Sequence, residues 1–148
     1  MLFRSFLRSE TALVLGGFDE NLGPGTAFGS AEGNDLVARA IRCGHRAEYD
    51  PAQRIVHPDK RLTETAVTRA ALYGAGLGFV LRRHPVANRV RLSFLIRPAG
   101  GAALSLARGN ILSARYYAAT LRGRLRGLCA AAARGPWQLP PLTPEAMP

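Results

Sequence analysis

Residues 16–58 read GGFDENLGPGTAFGSAEGNDLVARAIRCGHRAEYDPAQRIVHP, and the expected fold depends on this stretch. The glycines at its start, followed by Phe-Asp-Glu, predict a tight turn over residues 16–20. Residues 21–31 contain three more glycines and a proline, which predicts a loop. A helix is expected from Glu32 to Cys43, because apolar residues recur there at helical spacing.

Gly44 stands where this helix needs a left-handed C-cap, so the helix is expected to end there. Arg39 and Arg42 are expected to face away from its apolar side. Beyond the cap, residues 47–50 and 54–57 predict two short extended pieces that are joined at a proline.

Two acids open the predicted helix. Glu32 and Asp35 are three residues apart and therefore lie on the same helix face. The helix dipole favours their ionised forms, and a carboxylate held there can act as a general base toward a hydroxyl. Acids in a first helical turn are also common simply as partners of the dipole. His57, taken alone, is typical of a hydrogen-bonded structural histidine.

The segments on either side of residues 16–58 are predicted to be mostly helical, apart from one short strand. Residues 1–3 predict a strand and residues 10–15 a short helix or turn. Residues 65–83 have helical composition and contain the small-xxx-small pair Gly74 and Gly78. Each helical glycine costs about 1 kcal/mol relative to Ala. Close packing against another helix offsets such a cost, and the alternative is a kink near Gly76.

Residues 90–148 predict two further segments, at least one of them helical, and a tail. Residues 90–107 are apolar but interrupted by arginines and Pro98, which leaves a shallow re-entrant hairpin or an ordinary buried helix. Asn110 is expected to cap a final helix that runs to about residue 133. On a helical wheel this helix has one basic and one apolar side, with Arg124 on the apolar side. The Pro-rich residues 135–148 are predicted to be disordered.

The charge is distributed unevenly. The net charge is +10, yet residues 1–64 carry eight bases against nine acids, whereas residues 65–148 carry twelve arginines and one acid. This excess predicts a polyanionic partner. An anionic membrane surface is favoured over nucleic acid, because only Tyr116 and Tyr117 are interleaved with the arginines for base stacking. Two cysteines are too few for a disulfide framework and favour a reducing compartment.

The ordered features resemble the family 2 glycosyltransferases. That family shows a GGFDE turn, a Gly-rich stretch, a Glu-Asp-x-Asp-Leu helix start, a Gly-containing helix end, Tyr-x-Pro and then a His. The matching residues here are Gly16 to Glu20, Glu32, Asp35-Leu36, Gly44, Tyr49-Asp50-Pro51 and His57. The resemblance covers roughly residues 1–60.

The resemblance implies an α/β fold, namely a partial GT-A domain with a few short strands at residues 1–64. A basic helical, membrane-associated region would follow at 65–134, and the tail at 135–148. It implies sugar transfer from a nucleotide-sugar donor to an acceptor hydroxyl, with Mg²⁺ or Mn²⁺ as the metal. Glu32 and Asp35 would be catalytic and His57 a metal ligand. The substrate would contact Gly17, Phe18, Asp19 and Glu20.

The sequence departs from the family pattern at two points. Gly33 replaces the acid that usually serves as the base. No Asp-x-Asp occurs, and only fifteen residues precede Gly16, so the donor-binding half is expected to be missing or supplied by a partner chain. The expected location is the cytoplasmic face of the cell membrane. The alternative function is a non-catalytic basic helical module that binds membrane.

Overall fold

The computed structural model describes residues 7–48, 50, 52 and 61–132, and these residues contain five helices. The helices are α1 (Ser9–Val14), α2 (Glu32–Arg42), α3 (Glu64–Arg83), α4 (Asn88–Ala107) and α5 (Ile111–Ala132). The described part of the chain has no strand, so the predicted α/β class with a partial GT-A sheet is wrong there. The strand expected at 1–3 and the extended piece at 54–57 lie outside the described residues.

The physical reason for the missing sheet is the lack of a pairing partner. A strand is stable only when its backbone groups bond to a neighbouring strand. Residues 47, 48 and 50 adopt no regular structure, and the segments around them have the 3.6-residue apolar period of helices. An extended piece at residues 47–50 therefore has no strand to pair with among the described residues.

The predicted helix ends are confirmed. Gly44 has a φ of +87°, and the backbone N–H of His45 donates to the carbonyl of Ala40, which closes α2 with a left-handed C-cap. Thr63 caps α3 by accepting from the N–H of Ala66 at 3.2 Å. Asn110 caps α5 through its side-chain oxygen, which accepts from the N–H of Ser113 at 3.0 Å.

Glycines hold α3 and α5 in close contact. A Cβ atom at Gly74 or Gly78 would overlap the backbone of α5, and one at Gly123 or Gly127 would overlap the backbone of α3. The two helices run parallel, since Ala71 meets Gly123 and Ala75 meets Gly127. The close packing that was predicted for Gly74 and Gly78 is confirmed, and α3 continues without a break at Gly76. The second pair, Gly123 and Gly127, has the same spacing and was not predicted.

The helix α4 returns antiparallel to α5 and contains Pro98. A proline has no N–H, so the carbonyl four residues earlier, that of Phe94, loses its helical partner. The guanidinium of Arg124 donates to this carbonyl and lies 5.0 Å from the centroid of the Phe94 ring. Arg124 thus replaces the hydrogen bond that the proline removes, which explains an arginine on the apolar side of α5.

The loop before α2 packs on α3. Leu22 and Phe28 form one buried cluster with Ala75, Phe79 and Val80, and the rings of Phe28 and Phe79 are 4.4 Å apart at their centroids. This cluster packs the loop against α3 and so places the start of α2 beside the end of α3.

Candidate functional site

Asp35, in the first turn of α2, is buried with 1% of its surface exposed. Its Oδ1 lies 2.8 Å from Nε2 of His84, the residue that follows α3. Its Oδ2 accepts a hydrogen bond from Nε of Arg39 at 2.8 Å. Both carboxylate oxygens therefore have partners, and the side chain joins α2 to the end of α3.

Arg39 is also buried, with 4% of its surface exposed, so the expectation that it faces away is wrong. Its two terminal nitrogens donate to the carbonyls of Leu15 and Gly17 at 2.5 and 2.7 Å. These carbonyls are available because Gly16 and Gly17 turn the chain with φ values of +78° and +72°. The predicted turn is confirmed, and a buried guanidinium satisfies its carbonyls.

Asp19 ties the same turn to α3 through an ion pair with Arg83. Partial burial raises the pKa of the Asp19 carboxyl. Hydrogen bonds from the backbone and side chain of Asn21 and the charge and hydrogen bond of Arg83 outweigh that effect and lower the pKa below its ordinary value. The carboxylate is therefore held in its ionised form.

Glu32 differs from Asp35 in its surroundings. It is half-buried, and a Cβ on Gly23 would lie 3.5 Å from its carboxyl group. Its Oε2 is buried without a hydrogen-bond partner among the described residues. Gly33 is exposed, and a Cβ there would meet no atom within 4 Å. The first turn of α2 thus directs Asp35 into the protein and Glu32 toward the Gly-rich loop.

The other residues that were predicted to contact substrate differ in their exposure and bonding. The carbonyl of Gly17 is bound to Arg39, as above, whereas Phe18 is 61% exposed and Glu20 is exposed. His57, the predicted metal ligand, lies outside the described residues. In the described ranges no group of three or more His, Cys, Asp or Glu side chains is placed to hold a metal.

Two consecutive residues at the end of α3 bring the predicted acids together. Arg83 binds Asp19 and His84 binds Asp35. Sequence reasoning missed both partners, because a contact over 49 or 64 positions leaves no local pattern. The bond between Asp35 and Arg39 does have a signal, since an acid and a base four residues apart in a helix face each other.

A second candidate surface is the outward side of α4. Leu92, Ile96 and Leu106 are 56%, 58% and 58% exposed, and the exposed Ala99 and Ala103 continue the same stripe. We call these five residues the α4 apolar face. The exposed Arg89 lies beside this stripe in the first turn of α4, and the exposed Arg108 follows the last residue of the helix.

A cleft of about 360 Å³ lies between α4 and α5. Its walls include Arg97 and Pro98 of α4 and Tyr116, Thr120 and Arg124 of α5. Burial lowers the pKa of Arg124, and the nearby Tyr116 opposes that effect. The lining contains no acid, and the sequence has none between Glu64 and Glu145.

The described residues include no helix with both the length and the apolar character needed to cross a bilayer.

Comparison of the chain with protein-family models, with curated proteins and with solved structures found no match in any of the three. No family model supports the resemblance to the family 2 glycosyltransferases, and the described residues are helical without a strand. The assignment to that family is therefore corrected. The local order of motifs is present in the sequence, but the GT-A sheet that should accompany it is not seen.

Proposed function

We propose that this chain binds an anionic membrane surface through the α4 apolar face and the arginines around it. The observation that supports the proposal is the exposure of Leu92, Ile96 and Leu106 along one side of a single helix. Contiguous exposed apolar surface with a polar rim is typical of an interaction site.

The apolar side chains and the arginines contribute comparable free energies to membrane binding. Moving three half-exposed Leu or Ile side chains out of water contributes on the order of 3 kcal/mol. An arginine near an anionic surface contributes about 1 kcal/mol, so Arg89 and Arg108 together add roughly 2 kcal/mol, somewhat less than the apolar side chains. Neither term alone gives firm binding, which predicts that attachment requires anionic lipid and weakens with salt.

A lipid surface fits this side of α4 better than nucleic acid does. Binding to a single strand uses aromatic rings on which bases stack. The exposed stripe has aliphatic side chains only, and the one aromatic residue of α4, Phe94, is partly buried beside Arg124. Aliphatic side chains with flanking arginines are the composition of helices that lie in a membrane interface.

Co-sedimentation with vesicles tests the proposal. The full chain should bind vesicles that contain phosphatidylglycerol and should bind pure phosphatidylcholine weakly. The double substitution Leu92→Gln with Ile96→Gln should reduce binding at least about tenfold, since it removes roughly two-thirds of the apolar term.

The matched control is Leu13→Gln with Val14→Gln. These α1 residues are 78% and 45% exposed but lie outside the α4 apolar face. Equal losses in both double variants would contradict the assignment to α4. The absence of binding to anionic vesicles would contradict the function.

A second candidate is sugar transfer to an acceptor hydroxyl, with a nucleotide sugar as donor and Mg²⁺ or Mn²⁺ as cofactor. The observation that favours it is the buried Oε2 of Glu32, which has no hydrogen-bond partner among the described residues. A carboxylate oxygen in that state can accept a proton from a bound hydroxyl.

The test is turnover of nucleotide sugars with either metal, with saccharide and lipid-linked acceptors. Glu32→Gln should abolish transfer, and Glu48→Gln, whose side chain is 75% exposed, should leave it unchanged. Lack of transfer by the unaltered chain, both alone and with a donor-binding partner chain, would remove this candidate.

A further inference from the structure

The cleft between α4 and α5 contains cationic and hydroxyl groups without a carboxylate. Arg97 and Arg124 supply guanidinium groups and Tyr116 supplies a hydroxyl, whereas the hydroxyl of Thr120 already donates to the carbonyl of Tyr116 at 2.9 Å. Guanidinium groups bind phosphate oxygens in a bidentate manner, and hydroxyls add further donors. The combination favours a small anion over a cation or an apolar ligand.

Arg124 is the central residue of the cleft. One of its nitrogens donates to the carbonyl of Phe94, while its Nε is buried without a hydrogen-bond partner among the described residues. A half-buried guanidinium is stabilised by an anion that accepts from its solvent-facing N–H groups.

Among the described residues, no carboxylate lines the cleft. No Asp or Glu follows Glu64 until Glu145, and Glu64 is paired with Arg115 at 2.7 Å. Elsewhere the buried cation Arg39 has its own carboxylate, Asp35, at 2.8 Å. Arg124, which is half-buried, has no carboxylate partner among the described residues, so an external anion can serve as its counter-ion.

We propose that this cleft binds a phosphomonoester group. A phosphomonoester has up to two negative charges and three acceptor oxygens, which match the two guanidinium groups and the hydroxyl of Tyr116. The volume of about 360 Å³ is at the lower end of the roughly 300–1,000 Å³ range of ligand sites, so it suits a headgroup-sized ligand. Arg97 lies on the side of α4 that lines the cleft, and the phosphomonoester can belong either to a lipid headgroup or to a soluble molecule. That lipid source rests on the membrane binding proposed above, whereas a soluble phosphomonoester does not.

Vesicles of matched surface charge distinguish specific binding in the cleft from general electrostatic attraction to an anionic surface. Phosphatidic acid presents a phosphomonoester, and phosphatidylglycerol presents only a phosphodiester. The full chain should bind phosphatidic acid at least about tenfold more tightly, the equivalent of one additional charge-assisted hydrogen bond. Arg97→Gln and Tyr116→Phe, tested separately, should each reduce the preference for phosphatidic acid at least about threefold. Arg97→Gln removes a charged donor and Tyr116→Phe removes a neutral one.

The control is Arg126→Gln, which removes an exposed arginine of α5 that does not line the cleft. It should lower binding to both vesicles equally and preserve their ratio. Arg124→Gln removes the bond to Phe94 and can unfold the helix pair, so the two variants above carry the test.

Calorimetric titration with glycerol 3-phosphate tests the soluble source. Binding that weakens in Arg97→Gln supports the cleft even if no vesicle binds, an outcome that would contradict only the membrane function. Equal binding to the two charge-matched vesicles, together with no binding of glycerol 3-phosphate, would overturn the cleft assignment while leaving the membrane function intact. A preference for phosphatidic acid that survives in Arg97→Gln and Tyr116→Phe would also overturn it.

Discussion

At the scale of single residues, Asp19 of the GGFDE region and Asp35 of α2 are bound to basic side chains. Asp35 bonds to Arg39 and His84, and Asp19 bonds to Arg83. A buried carboxylate is stable only when its oxygens accept hydrogen bonds or face opposite charges. The pair of Asp35 with Arg39 therefore fixes the relative positions of the glycine turn, α2 and the end of α3.

Removal of one charge from the buried pair should be costly. In Asp35→Asn the guanidinium of Arg39 stays buried without its counter-charge, and we expect a loss of about 3–5 kcal/mol in the free energy of unfolding. Urea denaturation followed by circular dichroism measures it. Glu48→Gln, at an exposed site, should change stability by less than about 0.5 kcal/mol. A loss for Asp35→Asn as small as that of the control would show that the pair is not needed for the fold.

The lowered pKa of Asp19 predicts a pH dependence. A carboxyl whose pKa is lower in the folded state stabilises the fold above its unfolded pKa, and the contribution disappears as pH falls through the folded pKa. Wild type and Asp19→Asn should therefore differ most in stability above about pH 5, and the difference should shrink as the pH falls below the unfolded pKa, which is near 3.9. Unfolding free energies measured across this range test the sign. A difference that grows toward acid would contradict it.

At the scale of helices, the contact between α3 and α5 depends on missing side chains. Gly74, Gly78, Gly123 and Gly127 allow the two backbones to approach, and a Cβ at any of them would overlap the opposite helix. The spacing of four residues marks both pairs in the sequence. It does not tell which helix each pair contacts, because any helix can present such a groove.

The same substitution should have opposite effects at two glycines. Gly123→Ala places a methyl group against the backbone at Ala71 and should destabilise the protein by about 1–3 kcal/mol. Gly100→Ala, in exposed α4 where a Cβ meets nothing within 4 Å, should stabilise it by about 0.5–1 kcal/mol through helix propensity. Thermal unfolding of both variants compares them directly. Equal shifts in melting temperature would refute the close approach of α3 and α5.

At the scale of the whole molecule, charge opposes compactness. The three long helices carry ten arginines between Arg69 and Arg126, with Glu64 as their one acidic residue. The ion pair of Arg115 with Glu64 is more than half exposed on both sides, so solvent screens it strongly. Packing of glycines and apolar residues must therefore hold these helices against mutual repulsion.

Salt should act in opposite directions on folding and on membrane binding. Raising NaCl from about 10 to 150 mM shortens the Debye length from roughly 30 to 8 Å, which screens arginine repulsion and should raise the melting temperature. The same change should weaken attachment to anionic vesicles. Scanning calorimetry and co-sedimentation at both salt concentrations test the pair of effects. A melting temperature that falls with salt would mean that attractive ion pairs outweigh repulsion.

The sequence alone determined the local features of this protein. The turn at Gly16 and Gly17, the C-cap at Gly44, the cap at Asn110 and the basic second half all follow from residue type and short-range spacing. The tertiary structure decided the rest: the partners of Asp35, the use of Arg124 to replace a bond lost at Pro98, and which side of α4 is exposed. Local conformation depends on neighbouring residues, whereas the burial of a charge or an apolar side chain depends on distant segments that no short-range pattern identifies.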